Sequence, residues 1–438
     1  MQAGRTFFQS ILWRGLYYIT AFIINILIAR HFQASVSGTI YYLSSVYALV
    51  LLFSSLSLES GIIYFSAREE IPASKLFSFS IVWSVLIGIL TFLFVFFFFE
   101  DPYKGITKTL LIVSSACFIC GNLLNAYCSG FFYARNNFSI PNCINITSTV
   151  CLIVLLPFNG KSIIPAITDD NYFYIYFGSF LIQGLCLATA VKLKYIKSGL
   201  QRFLSLAEFR LLVKYCGMAF FGNILYFLLY RVDYWFVDRY CSTEQLGNYI
   251  QVSKLGHLFF ILPTILASAV FPITAAGQKE GISNILTLLS RSIFFLYLLA
   301  CLLLAFTGYR LFPFVFGESF SGMYQPFLLL IPGILSLSGL YTLTAYFAGK
   351  NKIRINIIGS VYALIVILAG DMIFIPKYGI NAAALVSSIG YMVYQGYIII
   401  MFRKEFTVPL REFFLIRSED LKNIRNSMLG SLKRIDQN

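Results

Sequence analysis

Residues 76–99 read LFSFSIVWSVLIGILTFLFVFFFF, an uncharged run closed by Lys75 before it and Glu100 after it. A helix needs about 20 apolar residues to cross the hydrocarbon core of a bilayer, whereas a spanning strand needs about 10 with alternating polarity. The run has the length of the first and lacks the alternation of the second, so it predicts a transmembrane helix. The whole chain of 438 residues has the same character, with 58% hydrophobic residues, 12% charged residues and a mean hydropathy of +0.78. An ordinary soluble domain carries about 25% charged residues. A water-soluble globule is excluded, and no stretch is left over for a soluble catalytic domain. The first apolar run, Phe7 to Ala29, exceeds a signal-peptide core, contains Arg14 and lacks a small-residue cleavage site, which predicts a retained first span.

Counting apolar runs bounded by charges or turn residues predicts about twelve transmembrane helices, over 7–29, 38–65, 76–99, 108–131, 140–158, 172–192, 213–236, 246–272, 285–308, 322–347, 354–375 and 379–402. The fold class is therefore an all-α polytopic membrane protein, with both termini on one side. Lys and Arg outnumber Asp and Glu by 33 to 19, a net charge of +14. If the termini are cytoplasmic, the inner segments collect most of that excess, including Lys192, Lys194, Lys197, Arg202, Arg210 and Lys214 in one stretch, while the outer segments balance. Topology and anionic lipid account for the charge, and no nucleic acid is implied. The cysteines sit mostly within apolar runs and read as small buried hydrophobes, with neither a disulfide frame nor a metal site.

The basic stretch after the sixth span divides the chain into an N-terminal six-helix lobe (1–194), an amphipathic cytoplasmic linker (195–212), a C-terminal six-helix lobe (213–402) and a basic cytoplasmic tail (403–438) expected to lie at the membrane surface. Two short matches cross that divider. Arg30-His31-Phe32 with Gly38 and Tyr41 pairs with Arg239-Tyr240-Cys241 with Gly247 and Tyr249, the arginine-to-glycine spacing being the same. Phe132-Tyr133-Ala134-Arg135-Asn136 pairs with Phe347-Ala348-Gly349-Lys350-Asn351 at the ends of the fourth and tenth spans. Together they predict two parallel repeats with a central cavity between the lobes, an arrangement suited to alternating access.

Arg231-Val-Asp233-Tyr-Trp-Phe-Val-Asp-Arg239, then Gly247-Asn-Tyr249, Lys254 and Leu262-Pro263, followed by Pro332-Gly333, Ala345-Tyr-Phe-Ala-Gly349-Lys350-Asn351 and Ile375-Pro376-Lys-Tyr-Gly379-Ile-Asn-Ala382-Ala-Ala384, form an ordered series. The series resembles the polysaccharide transporter branch of the multidrug/oligosaccharidyl-lipid/polysaccharide exporter superfamily, in particular the O-antigen flippases, over about residues 5–402. The resemblance implies a flippase, not an enzyme, in the bacterial cytoplasmic (inner) membrane. Its cargo would be undecaprenyl-pyrophosphate-linked oligosaccharide repeat units moved from the inner to the outer leaflet for O-antigen, capsule or exopolysaccharide. It further implies membrane lipid and the polymerase of the same pathway as partners, and a proton or sodium ion, with no other cofactor, to couple transport. The carried-over positions are Arg14, Arg231, Asp233 and Lys254. A neutral polar residue is common in the family near Asp371, so the carboxylate here departs from the pattern.

Six charges fall within the predicted spans: Arg14, Glu59, Arg231, Asp233, Lys254 and Asp371. A charge at bilayer depth is costly and usually faces a cavity or partner. Arg14, Arg231 and Lys254 suit a diphosphate, which cannot cross hydrocarbon unpaired. Tyr17, Tyr18, Asn25 and Tyr230, with Tyr41, Tyr42, Asn223, Tyr226 and Gln251, suit a hydroxylated glycan. Glu59, Asp233 and Asp371 are the candidates for ion coupling. Arg14 and Lys254 are near enough to their span ends to snorkel instead, Glu59 could hydrogen-bond to a neighbour, and His257 reads first as a packing residue. Prolines 263, 272, 313, 326, 332 and 376 are expected to interrupt helices in the second half. Two alternatives stay open: a multidrug and toxin cation antiporter of the same superfamily, which would want more carboxylates, and a membrane-embedded glycan polymerase, which would need acids beyond Asp169 and Asp170 in its outer loop. A lipid II flippase usually has two further helices, and none is spare.

Overall fold

The computed structural model describes residues 2–99, 106–156, 169–196, 204–275 and 281–415. These form twelve α-helices: α1 (Gln2–Ser55), α2 (Leu58–Arg68), α3 (Ala73–Phe98), α4 (Lys108–Tyr133), α5 (Ser139–Leu155), α6 (Asp169–Tyr195), α7 (Leu206–Tyr240), α8 (Thr243–Leu258), α9 (Ile261–Ala275), α10 (Ile282–Phe316), α11 (Tyr324–Gly349) and α12 (Ile353–Glu405). Most of the expected outer loop, linker residues 197–203 and the tail beyond 415 lie outside the described residues. Eight helical stretches among the described residues are long and apolar enough to cross a membrane, one of them running from α8 into α9, and α7, bent by 42° near Gly217, makes a ninth. The protein is a multi-pass membrane protein of helical fold.

Two helices are too long for one crossing. The 54 residues of α1 and the 53 of α12 would each reach about 80 Å at 1.5 Å per residue, against about 30 Å of hydrocarbon. Each is two helical runs joined at a non-helical residue, Gln33 (φ 64°, ψ 173°) in α1 and Gly379 (φ 60°, ψ −144°) in α12. These breaks fall at the expected boundaries between the first and second spans and between the eleventh and twelfth. The paired motifs also share backbone geometry. Three residues after Arg30 comes the break at Gln33. Three residues after Arg239 comes Ser242, which caps α8 in a reciprocal capping box with Gln245. Asn136 and Asn351 both take left-handed φ, at 56° and 57°, a region that asparagine tolerates better than most residues. In both turns an amide reaches back to the same motif position, Asn137 N to Phe132 O at 2.9 Å and Lys352 N to Phe347 O at 2.8 Å.

The second and eighth spans are each broken, which the hydrophobic runs did not announce. Leu56 and Ser57, at φ 48° and 53°, separate α1 from α2, and Phe259–Phe260 separate α8 from α9. Helix ends inside hydrocarbon must find partners within the protein. Trp83 Nε1 donates to Ser54 O at 2.8 Å and the Tyr127 hydroxyl to Ser55 O at 3.1 Å, while the Tyr297 hydroxyl donates to Phe259 O. The prolines behave differently from expectation. Pro313 and Pro332 lie inside continuous helices, Pro263 and Pro326 sit in first turns, where a missing N–H costs nothing, and Pro376 lies just ahead of a break, while the side chain of Pro272 lies outside the described residues.

The chain divides into two compact units, Met1–Phe227 and Leu228–Asn438, the division falling within α7. That helix begins at Leu206, inside the segment expected as linker, and Glu208 in its first turn pairs with Lys75 at 2.9 Å. In the first unit α4 and α6 touch backbone to backbone: a Cβ on Gly121 would lie 2.3 Å from the Phe180 carbonyl carbon. In the second unit α11 meets α12 in the same way, a Cβ on Gly333 falling 2.8 Å from Ser388 Cα. Small residues at such crossings let membrane helices gain dispersion contact where no hydrophobic effect drives them together. The start of the expected tail is not a surface helix. Phe413 is buried against Phe402, Phe414 meets Phe294, and Glu412 forms a buried ion pair with Arg291 at 2.9 Å.

Gly121→Val is expected to destabilise the first unit by about 3 kcal/mol, since overpacking against backbone has no flexible side chain to yield. Gly178→Ala, on α6 with nothing near its Cβ position, is expected to leave stability unchanged. Thermal unfolding of the purified variants checks this, and equal melting temperatures would contradict the close approach.

Candidate functional site

In the second unit the break at Gly379 lets α12 deliver one carboxylate and one hydroxyl to the same region. Asp371 precedes the break and Ser387 follows it, and both are fully buried. Asp233, on α7, is also buried; its Oδ2 accepts from the Tyr249 hydroxyl of α8 and from Ser387 Oγ at 3.1 Å. Asp233 Oδ1 and both oxygens of Asp371 have no hydrogen-bond partner, and the two carboxylates are close enough for their charges to interact. Two carboxylates in an apolar surround cannot both stay charged without a compensating proton or cation. The arrangement gathers carboxylate and hydroxyl oxygens, with Tyr249 and Ser387 hydrogen-bonded to Asp233 on one side. Among the described residues no group of three or more His, Cys, Asp and Glu is placed to hold a metal ion.

Arg231 stands two residues before Asp233 on α7, on a different side of the helix, and its charge acts on Lys254 and His257 of α8. Those two are one turn apart, so a single helix face presents them both. Tyr230 packs its ring against His257, Phe260 and Tyr391, and its hydroxyl accepts from Tyr341 at 3.4 Å. A cavity of about 10 Å³, lined among others by Tyr249, Ser253, His257, Ser387 and Tyr391, adjoins both the carboxylate and the aromatic groups. It has room for about one water molecule. His257 Nε2 is buried without a hydrogen-bond partner.

The candidates of the first unit fall into two places. Tyr17 lies close to Tyr133 and Tyr176 in the helix bundle, while Tyr18 is 49% exposed. The Tyr41 hydroxyl donates to the backbone carbonyl of Asn25 at 2.9 Å, so that pair holds the two runs of α1 together across the Gln33 break. Arg14 is carried by α1, and its side chain lies outside the described residues. Glu59, Asn223 and Tyr226, read separately from the sequence, meet in one cavity of about 320 Å³. Tyr249 and Ser387 were missed as site residues; a serine pair at 387–388 in an otherwise apolar run was the available signal for the second.

The sequence profile described as polysaccharide biosynthesis protein matches residues 27–325. No curated protein matches the chain by sequence. Among solved structures, the chain resembles the lipid II flippase MurJ in its inward closed conformation, with a TM-score of 0.74 and 16% identity over 92% of this chain and 89% of that one. It resembles a transporter of the MOP superfamily from Pyrococcus furiosus with a TM-score of 0.61 and 14% identity, over 92% of this chain and 95% of that one. A mutant of the Vibrio cholerae MATE transporter VcmN gives a TM-score of 0.61 at 12% identity, over 93% and 98% of the two chains. At such identities the likeness establishes the fold, and the fold is that of these transporters.

Removing the Tyr249 hydroxyl leaves Asp233 short of a donor, so Tyr249→Phe is expected to lower stability by about 1–3 kcal/mol. Asp371→Asn replaces a buried carboxyl that has no hydrogen-bond partner and is expected to raise the melting temperature at neutral pH. A lower melting temperature for Asp371→Asn would show that the carboxylate is held by a partner of its own.

Proposed function

Because the chain belongs to the polysaccharide biosynthesis protein family, we propose that it is a flippase carrying undecaprenyl-pyrophosphate-linked oligosaccharide repeat units from the inner to the outer leaflet of a bacterial cytoplasmic membrane. The repeat units would serve O-antigen, capsule or exopolysaccharide assembly, and both termini would be cytoplasmic. The observation that carries the reading is the grouping of Arg231, Lys254 and His257 in helices suited to span a membrane. Basic groups gathered at that depth suit an anionic cargo, and a diphosphate offers opposing charge and hydrogen-bond acceptors to Arg231 and Lys254. Arg14 would add a further cation from α1. Tyr17, Tyr18, Asn25 and Tyr230 supply the hydroxyl, amide and ring faces to which a glycan binds.

Transport by alternating access requires an energy source, and the buried pair Asp233 and Asp371 is suited to take it up. A proton or sodium ion between them would cancel their repulsion, with Ser387 as a further oxygen ligand for sodium. Loss of the ion on one side of the membrane restores the repulsion and favours a different packing of α7 against α12. Export of cationic drugs is the second reading, favoured by those same carboxylates and by the likeness to MATE transporters. The cavity adjoining that carboxylate pair has space for about one water, enough for a bare ion and too little for a drug.

Truncating one member of a buried charge pair costs about 2–5 kcal/mol, so Arg231→Ala and Lys254→Ala are expected to reduce surface polysaccharide about tenfold or more. Lipid-linked oligosaccharide should accumulate on the inner leaflet, and Arg231→Lys should lose less unless bidentate phosphate contact is needed. Unchanged surface glycan together with raised sensitivity to cationic drugs in a deletion strain would assign the protein to the second reading.

A further inference from the structure

The cavity of the first unit sits beside the Leu56–Ser57 break, and its residues come from four elements: Ala48, Leu51, Leu52 and Ser55 of α1, Glu59 of α2, Leu123 and Ala126 of α4, and Asn223, Tyr226 and Phe227 of α7. Two consecutive non-glycine residues with left-handed φ are a costly way to join helices. The surroundings hold the break firmly. Trp83 and Tyr127 take the carbonyls of Ser54 and Ser55, Ser57 N donates to Ser55 Oγ at 3.2 Å, and Asn223 Nδ2 donates to Ser57 Oγ at 3.0 Å. Within this otherwise satisfied arrangement Glu59 Oε2 is buried and has no hydrogen-bond partner.

The cavity is thus lined by an open acceptor, Glu59 Oε2, and by the Asn223 amide, with leucine, alanine, serine and aromatic rings making up the rest. A ligand that fills it must donate a hydrogen bond to Glu59 and offer apolar faces to the remaining lining. Volume separates the possible donors. A proton or bare monovalent ion needs no more room than a water, whereas about 320 Å³ falls in the range of small-molecule sites. We propose that this cavity is a sugar subsite, in which Glu59 and Asn223 accept hydroxyl hydrogen bonds from one ring of the lipid-linked glycan while Tyr226 covers a ring face. The proposal rests on the flippase reading above and removes Glu59 from the candidates for ion coupling.

The test uses the full-length protein in nanodiscs and two probes, undecaprenyl pyrophosphate bearing the repeat-unit oligosaccharide of the host and undecaprenyl pyrophosphate without sugar. Wild type is expected to bind the glycosylated lipid about tenfold more tightly. Glu59→Ala, and Ala126→Phe or Ala48→Phe as fillers from two different helices, should erase that difference and leave affinity for the bare diphosphate lipid unchanged. Glu59→Gln, which keeps a hydrogen-bonding oxygen, should retain most of the difference. The subsite is overturned if the difference survives in Glu59→Ala and in both filled variants. It is equally overturned if Glu59→Gln loses as much as Glu59→Ala, since charge and not hydrogen bonding would then be what counts. Failure of wild type to bind either lipid would sink the flippase reading itself, a result distinct from both.

Discussion

Hydrocarbon offers no hydrogen bonds, so every polar group at bilayer depth has to be satisfied by the protein. The two broken spans depend on this constraint most directly. Breaking the helix at Leu56–Ser57 frees carbonyls that Trp83 and Tyr127 then occupy, and breaking it at Phe259–Phe260 frees one that Tyr297 occupies. Trp83 lies on the third span of its half and Tyr297 on the third span of the other. The same solution, an aromatic donor from the next span capping an interrupted helix, has thus been used in each half. It leaves room beside each break, because a chain that departs from helical geometry no longer packs as a cylinder.

The glycine-mediated crossings are the rigid counterpart of these breaks. Gly121 against the α6 backbone and Gly333 against Ser388 bring helices closer than any side chain allows, and dispersion over such contacts holds without help from the solvent. α4 and α11 stand at equivalent places in the two halves, as do α6 and the second run of α12. Close pairs of this kind can serve as fixed supports against which broken spans repack. Division of labour between packed and broken helices follows from the same solvent argument, since interior polar groups need room that tightly crossed helices do not leave.

The spans were legible because hydrocarbon thickness imposes a length and a composition on them, and the boundaries near Gln33 and Gly379 were legible because charge, proline and glycine cluster there. The break at Leu56–Ser57 was not. Neither residue breaks helices by its own propensity, and only Trp83, Tyr127 and Asn223, distant in sequence, make it tolerable. Pro313 and Pro332 erred in the other direction, as prolines that the surrounding helix absorbs. Arg231, Asp233, Lys254 and Asp371 could be picked out because a charge in an apolar run is anomalous. Tyr249 and Ser387 could not, since hydroxyls are common in membrane helices and only the fold shows which of them meet Asp233. Glu59, Asn223 and Tyr226 were each noticed, but their convergence is a tertiary fact.

The two halves differ in what lies beside their breaks. In one half the residue beside the broken second span is an acid, Glu59, and in the other it is a base, His257; each has one buried atom without a hydrogen-bond partner. The spaces beside them differ as much, about 320 Å³ against about 10 Å³. The two breaks share a backbone solution while the chemistry beside them differs, a carboxylate after one and an imidazole before the other. An interior polar atom left without a partner is costly in hydrocarbon, so each space is shaped by the group it has to accommodate, while the breaks themselves belong to the fold.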